Sequence, residues 1–118
     1  AALATIQVIE EENLVENARL MGQRLREGLE GLQQKYPVIG DVRGLGLMQA
    51  LELVGDNKRP DSEAVKRFFE RTKANGLLIG KGGLWGNVIR ITPPLNVTGE
   101  QVDEAIKKLD QSFMQMGL

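Results

Sequence analysis

Two adjacent prolines, Pro93 and Pro94, follow directly on the alternating run Val88-Ile89-Arg90-Ile91-Thr92, and this junction constrains the fold more than any other stretch of the chain. Neither proline can donate a ladder hydrogen bond, and the residue before Pro93 is forced into an extended conformation, so a strand that includes Arg90 must stop at about Thr92. Side chains alternate along a strand, so Ile89 and Ile91 share one face while Val88, Arg90 and Thr92 share the other. The isoleucines belong to the core. Arg90 therefore stands on the opposite face, with its planar guanidinium aimed at whatever covers that side. The whole segment Gly76 to Thr98 reads as strand, glycine-rich turn, strand and double-proline stop.

Around this hairpin the chain is helical in pattern. Leu3, Ile6, Val8 and Ile9 give a stripe over residues 1–12, which ends in the acidic run Glu10 to Glu12, read as a solvated helix end. Asn13 with Glu16 predicts a break and a fresh capping box. A second helix then carries Leu14, Ala18, Met21, Leu25, Leu29, Leu32 and Tyr36 on one face until Pro37 stops it. From Val38 to Val54 the period changes to two. Taken as one strand, this stretch puts Leu45, Leu47, Leu51 and Leu53 on one face and Gly44, Gly46, Met48, Ala50 and Val54 on the other. A strand apolar on both faces is covered on both. The Gly44/Gly46 side then either meets a partner outside this chain or holds bulge glycines needed for local geometry.

Asp61 or Ser62 caps a helix whose stripe is Val65, Phe68, Phe69 and Thr72 and which ends at Asn75-Gly76. Thr98 with Gln101 makes a capping box for a last helix with Val102, Ile106, Leu109, Phe113 and Met116 on its inner face. The expected fold is α+β, with a small, mainly antiparallel sheet of about three strands covered by helices, in one domain over residues 1–118.

Composition excludes more than it selects. The 118 residues contain no cysteine and no histidine, which removes disulfides, thiol chemistry, the usual zinc sites and His-based nucleophiles. A net charge of −1 argues against nucleic acid or an anionic membrane as partner, and no apolar run approaches the ~20 residues of a membrane span. Nothing in this composition marks a compartment; cytoplasmic is the default expectation. The N-terminus opens inside a helical pattern, as a piece of a longer chain would.

Several tempting motifs fail on chemistry. The Gly80–Gly86 loop, GKGGLWG, lacks the Ser/Thr of a P-loop and opens no helix. Its GKGG follows a strand and does not join two helices as a KH loop does, and RGLGLM from Arg43 has leucines where an RNA-binding sheet needs stacking aromatics. Lys81 sits between glycines, a poor place to hold a Schiff-base nucleophile. Trp85 is expected to plug the loop, with an exposed contact surface as the alternative. Arg90 is left with two readings: a surface ion pair contributing roughly 0–1 kcal/mol, or bidentate capture of a carboxylate through bonds of about 1.5–3 kcal/mol each.

At GKGGLWGNVIRITPPLNVT the chain resembles the C-terminal part of class III (ω-type) pyridoxal-phosphate-dependent aminotransferases, in particular the alanine–glyoxylate aminotransferase 2-like group. EEENLVENARLMGQRLREGL, IGDVRGLGLMQALELV and LNVTGEQVDEAIKKLD extend the resemblance to essentially all 118 residues. It implies a small domain, led into by the helix over 1–12 from a missing large domain, in an enzyme that moves an amino group between an amino acid and a 2-oxo acid. It places the family's substrate-carboxylate arginine on Arg90 and turns the Gly44/Gly46 face towards the large domain. Pyridoxal 5'-phosphate, its aldimine lysine and the acidic partner of its ring nitrogen would belong to that large domain, and the intact enzyme would be a homodimer. The fragment itself would bind no cofactor or metal, contain no catalytic residue and be inactive alone. The alternative is a free-standing or engineered α+β binding or scaffold module. In either case the face with Met48, Val88, Arg90 and Thr92 is expected to be incompletely covered and prone to self-association.

Overall fold

The computed structural model describes residues 1–117. In chain order its main elements are α1 (Ala2–Glu11), α2 (Leu14–Lys35), β1 (Ile39–Leu45), β2 (Met48–Leu53), α3 (Ser62–Ala74), β3 (Gly80–Gly82), β4 (Val88–Ile91) and α4 (Gly99–Met114). The strands form one antiparallel sheet in the order β1-β2-β4-β3. Helices α2, α3 and α4 lie on one face, and the other face is open.

The sheet has four strands where three were expected, because the Val38–Val54 run is a hairpin. Gly46 adopts φ +55° and, with Leu47, turns the chain between the paired residues Leu45 and Met48. The turn breaks the assumed face pattern: Leu47 is buried, but Leu45 is 85% exposed. The same local geometry accounts for the glycines that sequence left open. A Cβ on Gly44 would lie 2.0 Å from the Met48 carbonyl oxygen, and α2 approaches so closely that a Cβ on Gly22 would lie 2.5 Å from the Gly46 carbonyl.

The stripes of α2, α3 and α4 are where the periodicity puts them, except that Phe69, expected on the inner face of α3, is only half-buried and stays outside the core, where Ala64 takes part instead. Leu25, Leu29, Leu32 and Tyr36 of the α2 stripe, Val65 and Phe68 of α3, and Val102, Leu109 and Phe113 of α4 join Leu51, Leu53, Ile89 and Ile91 in a single core. Phe113 stacks on Phe68 with ring centroids 4.0 Å apart and on Tyr36 at 5.1 Å. Asp61 caps α3 by accepting from the Ala64 N–H, and both halves of the Thr98/Gln101 capping box form. The break before α2 is real, but its chemistry differs from the expectation. Asn13 turns the chain in the left-handed region (φ 51°) without a side-chain cap, its N–H is already donated to the Glu10 carbonyl at 3.2 Å, and the Glu16 carboxylate accepts two hydrogen bonds from Arg19 instead. α1 buries none of its residues, and Leu3 and Ile6 are 72% and 52% exposed. Its apolar stripe has no cover within the described residues.

Candidate functional site

Strand β4 is an inner strand, paired with β2 on one side and β3 on the other. Ile89 and Ile91 point into the core, and Arg90 is exposed on the open face. Residues paired across neighbouring strands share a face, so Arg43, Ala50, Arg90 and Gly80 form one row across all four strands. The neighbouring row contains Asp41, Glu52, Val88 and Gly82.

The two arginines of the first row have different surroundings. Arg43 Nη1 donates to Asp41 Oδ2 at 2.8 Å and to Glu52 Oε2 at 2.6 Å. These carboxylates hold its guanidinium above the ordinary range, the hydrogen bond to Asp41 contributing most. Arg90 makes no ion pair and no side-chain hydrogen bond among the described residues. Its side chain passes over β3, where missing side chains make room: a Cβ on Gly80 would be 3.5 Å, and one on Gly82 3.3 Å, from Arg90 Nε.

Depressions open on both sides of Arg90. One is bounded by Leu78, Ile79, Thr92, Pro93, Pro94 and Gln101, the other by Arg43, Met48, Ala50 and Thr92. The walls are largely apolar. Such walls strengthen a charge-assisted bond by excluding water from one side. The double-proline loop forming the first wall is anchored from a distance, since Asn17 Nδ2 on α2 donates to the Leu95 and Val97 carbonyls at 2.7 and 3.1 Å. Sequence reasoning missed Asn17 because its partners lie far along the chain.

It also missed Asn87, which is 1% exposed and whose Nδ2 donates to the Leu53 carbonyl at 3.0 Å and to Glu52 Oε1 at 3.3 Å. A buried amide must find partners. The signal was an asparagine directly before an otherwise apolar strand start.

Other expectations need correcting. The strand before the glycine turn is Gly80–Gly82, with Leu77 to Ile79 outside it, and the turn closes where the Gly86 N–H donates to the Gly83 carbonyl at 3.1 Å. β4 ends at Ile91, one residue earlier than Thr92. Val88 is buried, because Gly83 sits against it on the open face; Met48, by contrast, is 71% exposed. Trp85 does not plug the loop and is 67% exposed. Lys81 is exposed on β3.

Pyridoxal phosphate, the cofactor implied by the resemblance, requires a lysine amine held in a desolvated pocket. No lysine of this chain is buried, so the residues present do not fit that cofactor by themselves. Among the described residues no group of three or more acidic side chains is placed to hold a metal, and no helix is long and apolar enough to cross a membrane.

Residues 1–113 match the family model described as "Aminotransferase class-III". The chain is 46% identical over 118 residues to the mitochondrial alanine–glyoxylate aminotransferase 2 homolog 2 of Arabidopsis thaliana, covering 98% of this chain and 25% of that protein. It is 42% identical over 113 residues to an alanine/serine racemase of Pyrococcus horikoshii, covering 96% and 24%. The solved structure of a Bacillus anthracis aminotransferase superposes with a TM-score of 0.90 at 33% identity, over 97% of this chain and 27% of that one. The chain thus spans about a quarter of the length of the relatives it matches.

Proposed function

This chain belongs to the class-III aminotransferase family, and from that premise we propose that it is the small domain of a pyridoxal-phosphate-dependent aminotransferase, in which Arg90 receives the substrate carboxylate. The observation that carries this reading is the unpaired guanidinium of Arg90 on the open face, fixed on an inner strand and bordered by apolar walls. An arginine fork matches a carboxylate in a bidentate geometry, and preorganisation on a strand removes much of the ordering cost. The two relatives with different reactions in their names, an aminotransferase and a racemase, are both named for alanine. A shared need to grip an α-carboxylate fits that overlap.

The chemistry itself belongs to segments beyond this chain. Pyridoxal phosphate, when bound, supplies the electron sink for amino-group transfer, and its lysine and its ring-nitrogen partner would come from the large domain. The residues of this chain bind and orient: Arg90 takes the carboxylate, Thr92 and the double-proline loop shape the wall beside it, and the helix α1 leads in from the large domain. The isolated domain is inactive in this reading, and the substrate pair is an amino acid and a 2-oxo acid.

The test is Arg90→Ala in the full-length enzyme. Losing two charge-assisted bonds should reduce kcat/KM for alanine by about a hundredfold or more. An amine donor without a carboxylate, such as isopropylamine, should be affected little. Equal losses for both donors would overturn the reading.

A further inference from the structure

Resting on that reading of Arg90, we infer that Arg43 is a positioning residue that keeps Arg90 available by holding Glu52, its diagonal neighbour on the open face, away from it. Glu52 pairs with Val88, two residues from Arg90 on the same strand. Glu52 and Arg90 are therefore diagonal neighbours on one face, within reach of each other's long side chains. An unrestrained glutamate there would pair with Arg90 and compete with any incoming carboxylate.

The structure shows what restrains it. Glu52 Oε2 accepts from Arg43 Nη1 at 2.6 Å, and Oε1 accepts from Asn87 Nδ2 at 3.3 Å. Both oxygens thus already accept from groups other than Arg90. Asp41, the other acidic residue of that row, is also held by Arg43. It lies on β1, two strands from Arg90, roughly 10 Å across the sheet, and so does not compete directly. The row thus contains two guanidiniums with separate tasks: Arg43 is saturated by the domain's own carboxylates, and Arg90 is left for an external one.

The test compares four variants in the full-length holoenzyme. Arg43→Gln releases Glu52. It should raise KM for alanine about two- to fivefold, the factor that competition from a partly exposed ion pair supplies, with little change for isopropylamine. The double variant R43Q/E52Q removes the competitor and should restore the alanine KM. A crystal structure of R43Q should show a Glu52 oxygen within about 4 Å of the Arg90 guanidinium. Arg43→Lys keeps a cation but loses the fork that serves two carboxylates, so it should shift KM in the same direction by less; if R43Q does not fold, R43K against R43K/E52Q decides. Equal effects on both donors, or no rescue by E52Q, would overturn the inference. If R90A discriminates between the donors while R43Q does not, the inference alone falls; if R90A does not discriminate, the carboxylate reading falls first.

Discussion

Arg43 and Arg90 occupy the same cross-strand row, separated only by Ala50, yet Arg43 bridges Asp41 and Glu52 while Arg90 has no carboxylate partner among the described residues. The contrast arises from sheet register. Glu52 has Arg43 as a diagonal neighbour on one side and Arg90 on the other, and its pairing with Arg43 and Asn87 decides which guanidinium stays free.

Replacing Arg90 by lysine separates charge from geometry. A lysine keeps the positive charge but presents a single point donor in place of a fork. In the full-length enzyme Arg90→Lys should reduce kcat/KM for alanine by about tenfold, less than the alanine substitution does. Because position 90 is exposed, the urea midpoint of the fold should move by no more than about 0.5 kcal/mol equivalent.

The glycine floor under Arg90 gives a second prediction. A Cβ on Gly82 would lie 3.3 Å from Arg90 Nε and 3.5 Å from Cδ, both atoms of a flexible side chain. Gly82→Val should therefore displace the guanidinium without unfolding the sheet. Its signature is a KM for alanine raised about three- to tenfold, with an unchanged circular dichroism spectrum.

Gly22 is a site where a normally favourable change should fail. In an exposed helix interior Gly→Ala stabilises by about 1 kcal/mol, but here the new Cβ would meet the Gly46 backbone at 2.5 Å. The β1–β2 turn would have to move. Gly22→Ala should cost about 1–3 kcal/mol in urea denaturation, whereas Gly31→Ala, where a Cβ meets nothing within 4 Å, should stabilise.

Acid stability should depend on Asp110. Its carboxylate accepts from Lys35 Nζ at 2.7 Å and from Tyr36 Oη at 2.6 Å, joining the end of α2 to α4. The Lys35 bond first, then that from Tyr36, hold its pKa below the ordinary 3.8, against the opposing effect of burial. A carboxyl that binds its proton less tightly when folded contributes fully above its unfolded pKa, and the contribution fades as pH falls through the folded value. Asp110→Asn should cost about 1 kcal/mol at pH 7, the group being partly exposed, and the difference from wild type should shrink below pH 4 in pH-dependent urea midpoints.

Local rules carried much of the architecture. The stripes of α2, α3 and α4, the Thr98/Gln101 box and the Asp61 cap depend on residues three or four apart, so they are legible in sequence and present in the fold. The same rules fail where a competing local partner or a tight turn intervenes. Glu16 looks like a capping partner for Asn13 but is taken by Arg19. Trp85 looks like core, but the short turn gives it nothing to pack beneath. The Val38–Val54 run has strand periodicity on both sides of Gly46, and only the turn at φ +55° shows that it contains two strands.

The amino-acid order alone determined that Arg90 faces away from the core, because alternation along a strand and the proline stop are properties of consecutive residues. Tertiary structure decided that Arg90 remains unpaired, since residues 43, 52 and 87 reach its face only once β1, β2 and β4 align in register. A side chain's direction is set by its own backbone; its choice of ionic partner is set by which distant strands lie beside it.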